Sequence, residues 1–137
     1  MKYVVLLILV FQSNYIFSQE ESVTSPQIAI RVHLGETVKL DDVSITFSEI
    51  LEDSRCPTNV DCIWAGRAHV VLIVKEEGEK AITKEVFFGQ VLKDEKKDMV
   101  LLLRPDFTIE AMNIAPYPKE PGEKLDYFIR IRKLHKN

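Results

Sequence analysis

The sequence predicts an all-β fold: one domain built as a β-sandwich, immunoglobulin-like or similar, of about seven or eight short strands. Three observations carry that expectation. Apolar and polar residues alternate with period two in one segment after another. Turn-forming residues recur about every 8–12 residues, the spacing of sandwich strands. No stretch beyond residue 18 shows convincing 3.6-residue periodicity.

The elements follow in order. Ile28, Ile30 and Val32 alternate with Ala29, Arg31 and His33, the signature of a half-buried strand, and Gly35 marks a turn. Val38 and Leu40 form a short strand that turns at Asp41-Asp42. Val43, Ile45 and Phe47 alternate with Ser44, Thr46 and Ser48, with Leu51 continuing the apolar parity. Residues 53 to 62 are rich in turn formers and connect to the run Val70 to Val74, which is apolar on both parities, as in a central strand covered on both faces. After a turn at Glu76 to Glu79, the strand over Ile82 to Phe87 has an ambiguous inward face. Lys93 to Asp98 is a charged run, Met99 to Leu103 an apolar one, and Leu92 to Leu101 leaves room for one short helix. Phe107, Ile109 and Ala111 alternate again. An extended loop holds Pro116, Pro118 and Pro121, and Tyr127, Ile129 and Ile131 mark the last strand before a polar tail from Leu134. A sandwich is favoured over a closed barrel because some strands look two-sided and the prolines suit ragged edges.

The chain start adds location. Lys2 precedes the apolar run Val4 to Phe11, and Ser18-Gln19 supplies a small residue at a cleavage position. That order is expected of a secretory signal peptide over 1–18. The run Tyr3 to Phe11 is shorter than the roughly 20 residues that span a bilayer. The expected organisation is a signal peptide (1–18), a flexible lead-in (19–27) and the sandwich domain (28–134). An exported chain is expected in the periplasm or outside the cell, with no transmembrane segment in the mature part. With Lys2 removed, 17 of the 18 basic residues face 21 acidic ones, a net charge of −4. That balance argues against nucleic acid or an anionic membrane as the main partner.

In an oxidising compartment Cys56 and Cys62 most simply form a disulfide across a tight loop stiffened by Pro57. A metal pair lacks further Cys or His nearby, and a redox pair normally has two intervening residues. The loop and its flanks, Asp53-Ser54-Arg55-Cys56-Pro57, three residues, Asp61, then Cys62-Ile63-Trp64-Ala65-Gly66, resemble a family of small secreted or lipid-anchored Bacteroidetes proteins. The likeness extends to Ile114-Ala115-Pro116-Tyr117-Pro118 and to Asp126-Tyr127 in the last strand. It implies export, the disulfide and a β fold, and supplies no catalytic residues. The chain departs from it in having no lipid-anchor cysteine near the cut.

Other constellations have plain readings. Trp64 is expected to pack on the disulfide, the alternative being a surface platform for a sugar or peptide. Arg55, among Glu49, Glu52, Asp53 and Asp61, is expected to order the loop through ion pairs. Asp53, Asp61 and loop carbonyls could instead hold calcium, which takes six to eight oxygens. His33, His69 and His135 form no metal-binding or catalytic pattern, and there is no Gly-x-Ser-x-Gly or phosphate-cradling glycine loop.

The expected function is therefore non-enzymatic: an exported module, with no catalytic residues, metal or cofactor, that binds a protein or a cell-envelope component. Pro57, Thr58, Asn59, Val60, Asp61 and Trp64 are the candidate binding loop, and Pro116 to Pro121 is a second candidate surface. The alternatives are a small secreted hydrolase, a protease inhibitor presenting the disulfide loop, and a calcium-dependent module.

Overall fold

The computed structural model describes Ala29 to Lys136; the expected signal peptide (1–18) and lead-in (19–27) lie outside the described residues. Eight strands form two four-stranded antiparallel sheets, so the fold is a β-sandwich. The strands are β1 (Ala29–His33), β2 (Thr37–Leu40), β3 (Val43–Asp53), β4 (Arg67–Glu76), β5 (Ile82–Gly89), β6 (Val100–Leu103), β7 (Phe107–Ala115) and β8 (Phe128–His135). One sheet has the order β1-β8-β7-β6 and the other β2-β3-β4-β5. The chain crosses between sheets after β1 and after β5, so the first and last strands are neighbours.

The core lies between the sheets. Val32, Leu101, Ile109, Ile129 and Ile131 enter it from one side, and Val43, Ile45, Phe47, Val70, Leu72 and Val86 from the other, each almost fully buried. The strand pairing shifts register at four places, and two of these shifts decide which residues of β3 and β7 face inward. β3 runs Val43, Ile45, Phe47 on one parity, then shifts register between Phe47 and Glu49. A bulge adds one residue and moves the following side chains to the other face. Ile50, not Leu51, therefore packs against the core, and Leu51 is exposed. β7 shifts in the same way between Ala111 and Asn113, turning Ile114 inward and Asn113 outward.

Several sequence expectations need correction. Val70 to Val74 is not covered on both faces: Val70, Leu72 and Val74 are buried, while Val71 and Ile73 are half-buried on the outer face. The region Leu92 to Leu101 holds no helix but a turn, a charged connection and the start of β6. The polar tail continues β8 rather than following it: Leu134 pairs with Thr108 and His135 with Phe107, and the Lys136 amide donates to the Asp106 carbonyl at 2.9 Å. The ambiguous strand β5 buries apolar rings on both faces. Val86 and Phe88 enter the core, while Phe87 is covered outside by the stacked ring of His69, 4.1 Å away, and by Arg67. No helix among the described residues is long and apolar enough to cross a membrane.

Candidate functional site: the cysteine-loop end

β3 and β7 end, and β4 and β8 begin, at one pole of the sandwich, and the connections Ser54 to Gly66 and Pro116 to Tyr127 cover it. Asp53 is the last residue of β3 and Arg55 follows two residues on. The Arg55 side chain is only 5% exposed. Its Nε and Nη2 donate to the two oxygens of Asp53, each at 2.7 Å, a bidentate pair. Nη1 donates to the Ile114 carbonyl at 3.3 Å and Nη2 also to the Pro116 carbonyl at 3.0 Å. The guanidinium carbon lies 5.0 Å from the centre of the Tyr117 ring. Tyr127 donates its hydroxyl to Asp53 at 2.8 Å. One ion pair thus ties the end of β3 to the end of β7, its following loop and the residue before β8.

Burial by itself would push the Asp53 carboxyl up. The hydrogen bonds from Arg55 and Tyr127, with the charge of Arg55, outweigh burial and hold it below its ordinary value. Burial, then donation to the Asp53 carboxylate, pushes Tyr127 upward. Asp53 is therefore an ionised, fully engaged acceptor, unsuited to acid–base work and not available as the calcium ligand considered above. Arg55 does order the loop, but through Asp53 and carbonyls. Glu52 instead meets Arg67, and Asp61 is exposed.

The Cys56–Cys62 disulfide is present, with the two Cα atoms 6.0 Å apart. The Cys56 amide donates to the Ala65 carbonyl and the Ser54 amide to the Arg67 carbonyl, so both limbs of the connection run side by side. Gly66 is required where they meet. Its φ is +70°, and a Cβ there would lie 1.8 Å from the Ser54 carbonyl oxygen. The two surfaces singled out from sequence are joined: the amides of Thr58 and Asn59 donate to the carbonyls of Pro118 and Lys119 at 3.1 and 3.2 Å.

Thr58, Asn59, Val60 and Asp61 are exposed and Pro57 is half-buried. Trp64 departs from expectation. It is 52% exposed, beside Ile63 at 107%. Arg55 is buried with its guanidinium over the Tyr117 ring, and that ring, like Trp64, is about half exposed. Arg55 also stands between two open clefts. One, of about 380 Å³, lies against Pro57, Pro118, Glu123 and Tyr127; the other, of about 270 Å³ and more apolar, lies against Ala65, Phe88, Ile114 and Tyr117.

His33 and His69 sit on strands, each near one carboxylate, Asp126 and Glu85 respectively. Among the described residues no three His, Cys, Asp or Glu side chains come together as a metal site would require. Sequence reading missed the partnership of Asp53 with Tyr127; its only trace is that both fall in the segments carrying the resemblance. Comparison with protein-family models, curated proteins and solved structures finds no match for this chain.

Proposed function

We propose that the protein is an exported, non-enzymatic module that binds a protein or a cell-envelope component through the tip carrying Val60, Ile63 and Trp64. The observation that carries this reading is the exposure of Ile63 and Trp64 on a loop clamped by a disulfide, by the Pro118-Lys119 hydrogen bonds and by Arg55. Large apolar side chains held rigidly in water lower stability or solubility unless a partner covers them, and pre-ordering reduces the entropy lost on binding. Trp is among the residues that most often dominate binding energy. Export is supported by the pattern of Met1 to Ser18 and by the disulfide.

The test is an affinity pull-down from envelope extract with the mature protein and with Ile63→Ser/Trp64→Ser. The expected result is a partner retained by the native tip and lost with the double substitution. Identical partner sets would remove the tip as the contact. The exposed run Thr58 to Cys62 also suits the inhibitor alternative. That reading expects inhibition of envelope proteases, abolished when the loop is cleaved.

A further inference from the structure

The outer face of the β1-β8-β7-β6 sheet carries a second surface, separate from the tip. Val32 and Ile129 are fully buried, so their neighbours along each strand, Arg31 and His33 on β1 and Phe128 and Arg130 on β8, point outward. The register sets Arg31 directly opposite Arg130, and Asn113 of β7 opposite Arg130 on its other side. The next row is His33, Phe128 and Ala115. Both guanidiniums gather on one ring, their central carbons 5.0 and 5.5 Å from the centre of Phe128. The His33 ring lies 5.5 Å from the same ring.

Like charges directly opposed across two strands are destabilising. The neighbouring charges on this face are answered: Arg132, one row further, meets Glu110 at 3.0 Å, and His33 lies 3.7 Å from Asp126. Arg31 and Arg130 meet no carboxylate and donate no side-chain hydrogen bond among the described residues. Yet the chain has 21 acidic residues against 18 basic. Two arginines opposed on one ring, in an acidic protein, form a surface without a counter-charge among the described residues.

We propose that this face binds an anionic polysaccharide whose sugars bear carboxylates. A guanidinium accepts a carboxylate as a two-pronged donor, and an amide such as Asn113 can bond sugar hydroxyls in both senses. A sheet face is flat, so an extended chain can lie across it. The row Arg31-Arg130-Asn113 spans two strand spacings, about 10 Å, room for roughly one disaccharide. Two unpaired arginines among the described residues are too few for a nucleic-acid backbone, and Met112, the exposed apolar side chain next to Asn113, is too little to anchor the face in a membrane.

The test is affinity electrophoresis of the purified mature protein, disulfide intact, in native gels containing polygalacturonate and a metal chelator, with dextran as the neutral control. The native protein and Lys96→Gln/Lys97→Gln, which removes the same charge from an exposed loop, are expected to be retarded alike by polygalacturonate and not by dextran. Arg31→Gln/Arg130→Gln is expected to lose about tenfold in apparent affinity. It should keep the native circular dichroism spectrum and a cooperative melt, because relief of the opposed like charges offsets loss of the two contacts with Phe128. No retardation of the native protein, equal loss in the lysine variant, or undiminished retardation of the arginine variant would each overturn the proposal. So would pelleting with phosphatidylglycerol vesicles in place of polygalacturonate binding. Ile63→Ser/Trp64→Ser should be retarded like the native protein, which separates failure here from failure of the tip.

Discussion

The two poles of the sandwich use the same parts in different surroundings. At the cysteine-loop pole, Arg55 pairs with Asp53 and lies over Tyr117, with both charged side chains nearly buried. At the opposite pole, Arg104 pairs with Asp42 and Glu76, Lys133 pairs with Asp41, and both cations lie over Phe107. There the acidic partners are more exposed, Glu76 at 26%, Asp42 at 43% and Asp41 at 72%. The geometry is alike, but solvent decides what each pair is worth. An exposed pair is screened and contributes little, whereas breaking a buried pair strands a charge away from water. The first pole is also cross-linked, and the second is not.

That contrast can be tested from its largest expected effect downward. Arg55→Ala should lower stability by about 3–5 kcal/mol in urea unfolding, because Asp53 and two carbonyls lose their donors together. Arg55→Lys should recover little of it, since an ammonium cannot serve both oxygens of Asp53 and two carbonyls. The pair Cys56→Ser/Cys62→Ser should cost about 2 kcal/mol, the loop-closure contribution of so short a ring. A loss as large as that of Arg55→Ala would make the bridge, not the ion pair, the main restraint at this pole.

The pH dependence sharpens the comparison further. The Asp53 carboxyl is held below its ordinary 3.8, so its contribution is fully present above that value and is lost as pH falls through the lower folded value. Tyr127 is raised above its ordinary 10.0, so its contribution is complete below 10.0 and is lost as pH rises through the higher folded value. Tyr127→Phe should remove the alkaline limb and weaken the acid one, as thermal melts across pH would record. The smallest effect is expected at the other pole. Arg104→Ala should lower the thermal midpoint slightly, by an amount that added salt largely erases. A salt-insensitive loss there would break the contrast.

The strands were legible because alternation is local. Val43, Ile45 and Phe47 identify the inward face of β3 without knowledge of its partners. The bulge after Phe47 was not legible, because an inserted residue shows only when two strands are laid side by side; hence Leu51 was assigned the inward place that Ile50 takes. The disulfide loop could be read from two cysteines and the expectation of export. What surrounds it could not. Arg55 had four nearby acids in sequence, and the choice of Asp53 depends on carbonyls of Ile114 and Pro116, about sixty residues away. The neighbours of Trp64 in sequence suggest packing, yet its ring stands half exposed, because a cysteine two residues away does not set which way the loop turns its side chains. The opposition of Arg31 to Arg130 follows from register alone, and no property of either segment announces it.

The position of Trp64 has a practical consequence. It is the only tryptophan, half exposed and two residues beyond Cys62. Intrinsic indole fluorescence therefore reports on the tip and is nearly blind to the core. An emission shift on adding an extract fraction would signal occupancy of the loop without any label. Conversely, a denaturation curve followed by that emission would record release of the loop, and far-ultraviolet dichroism would be needed to follow the sheets themselves.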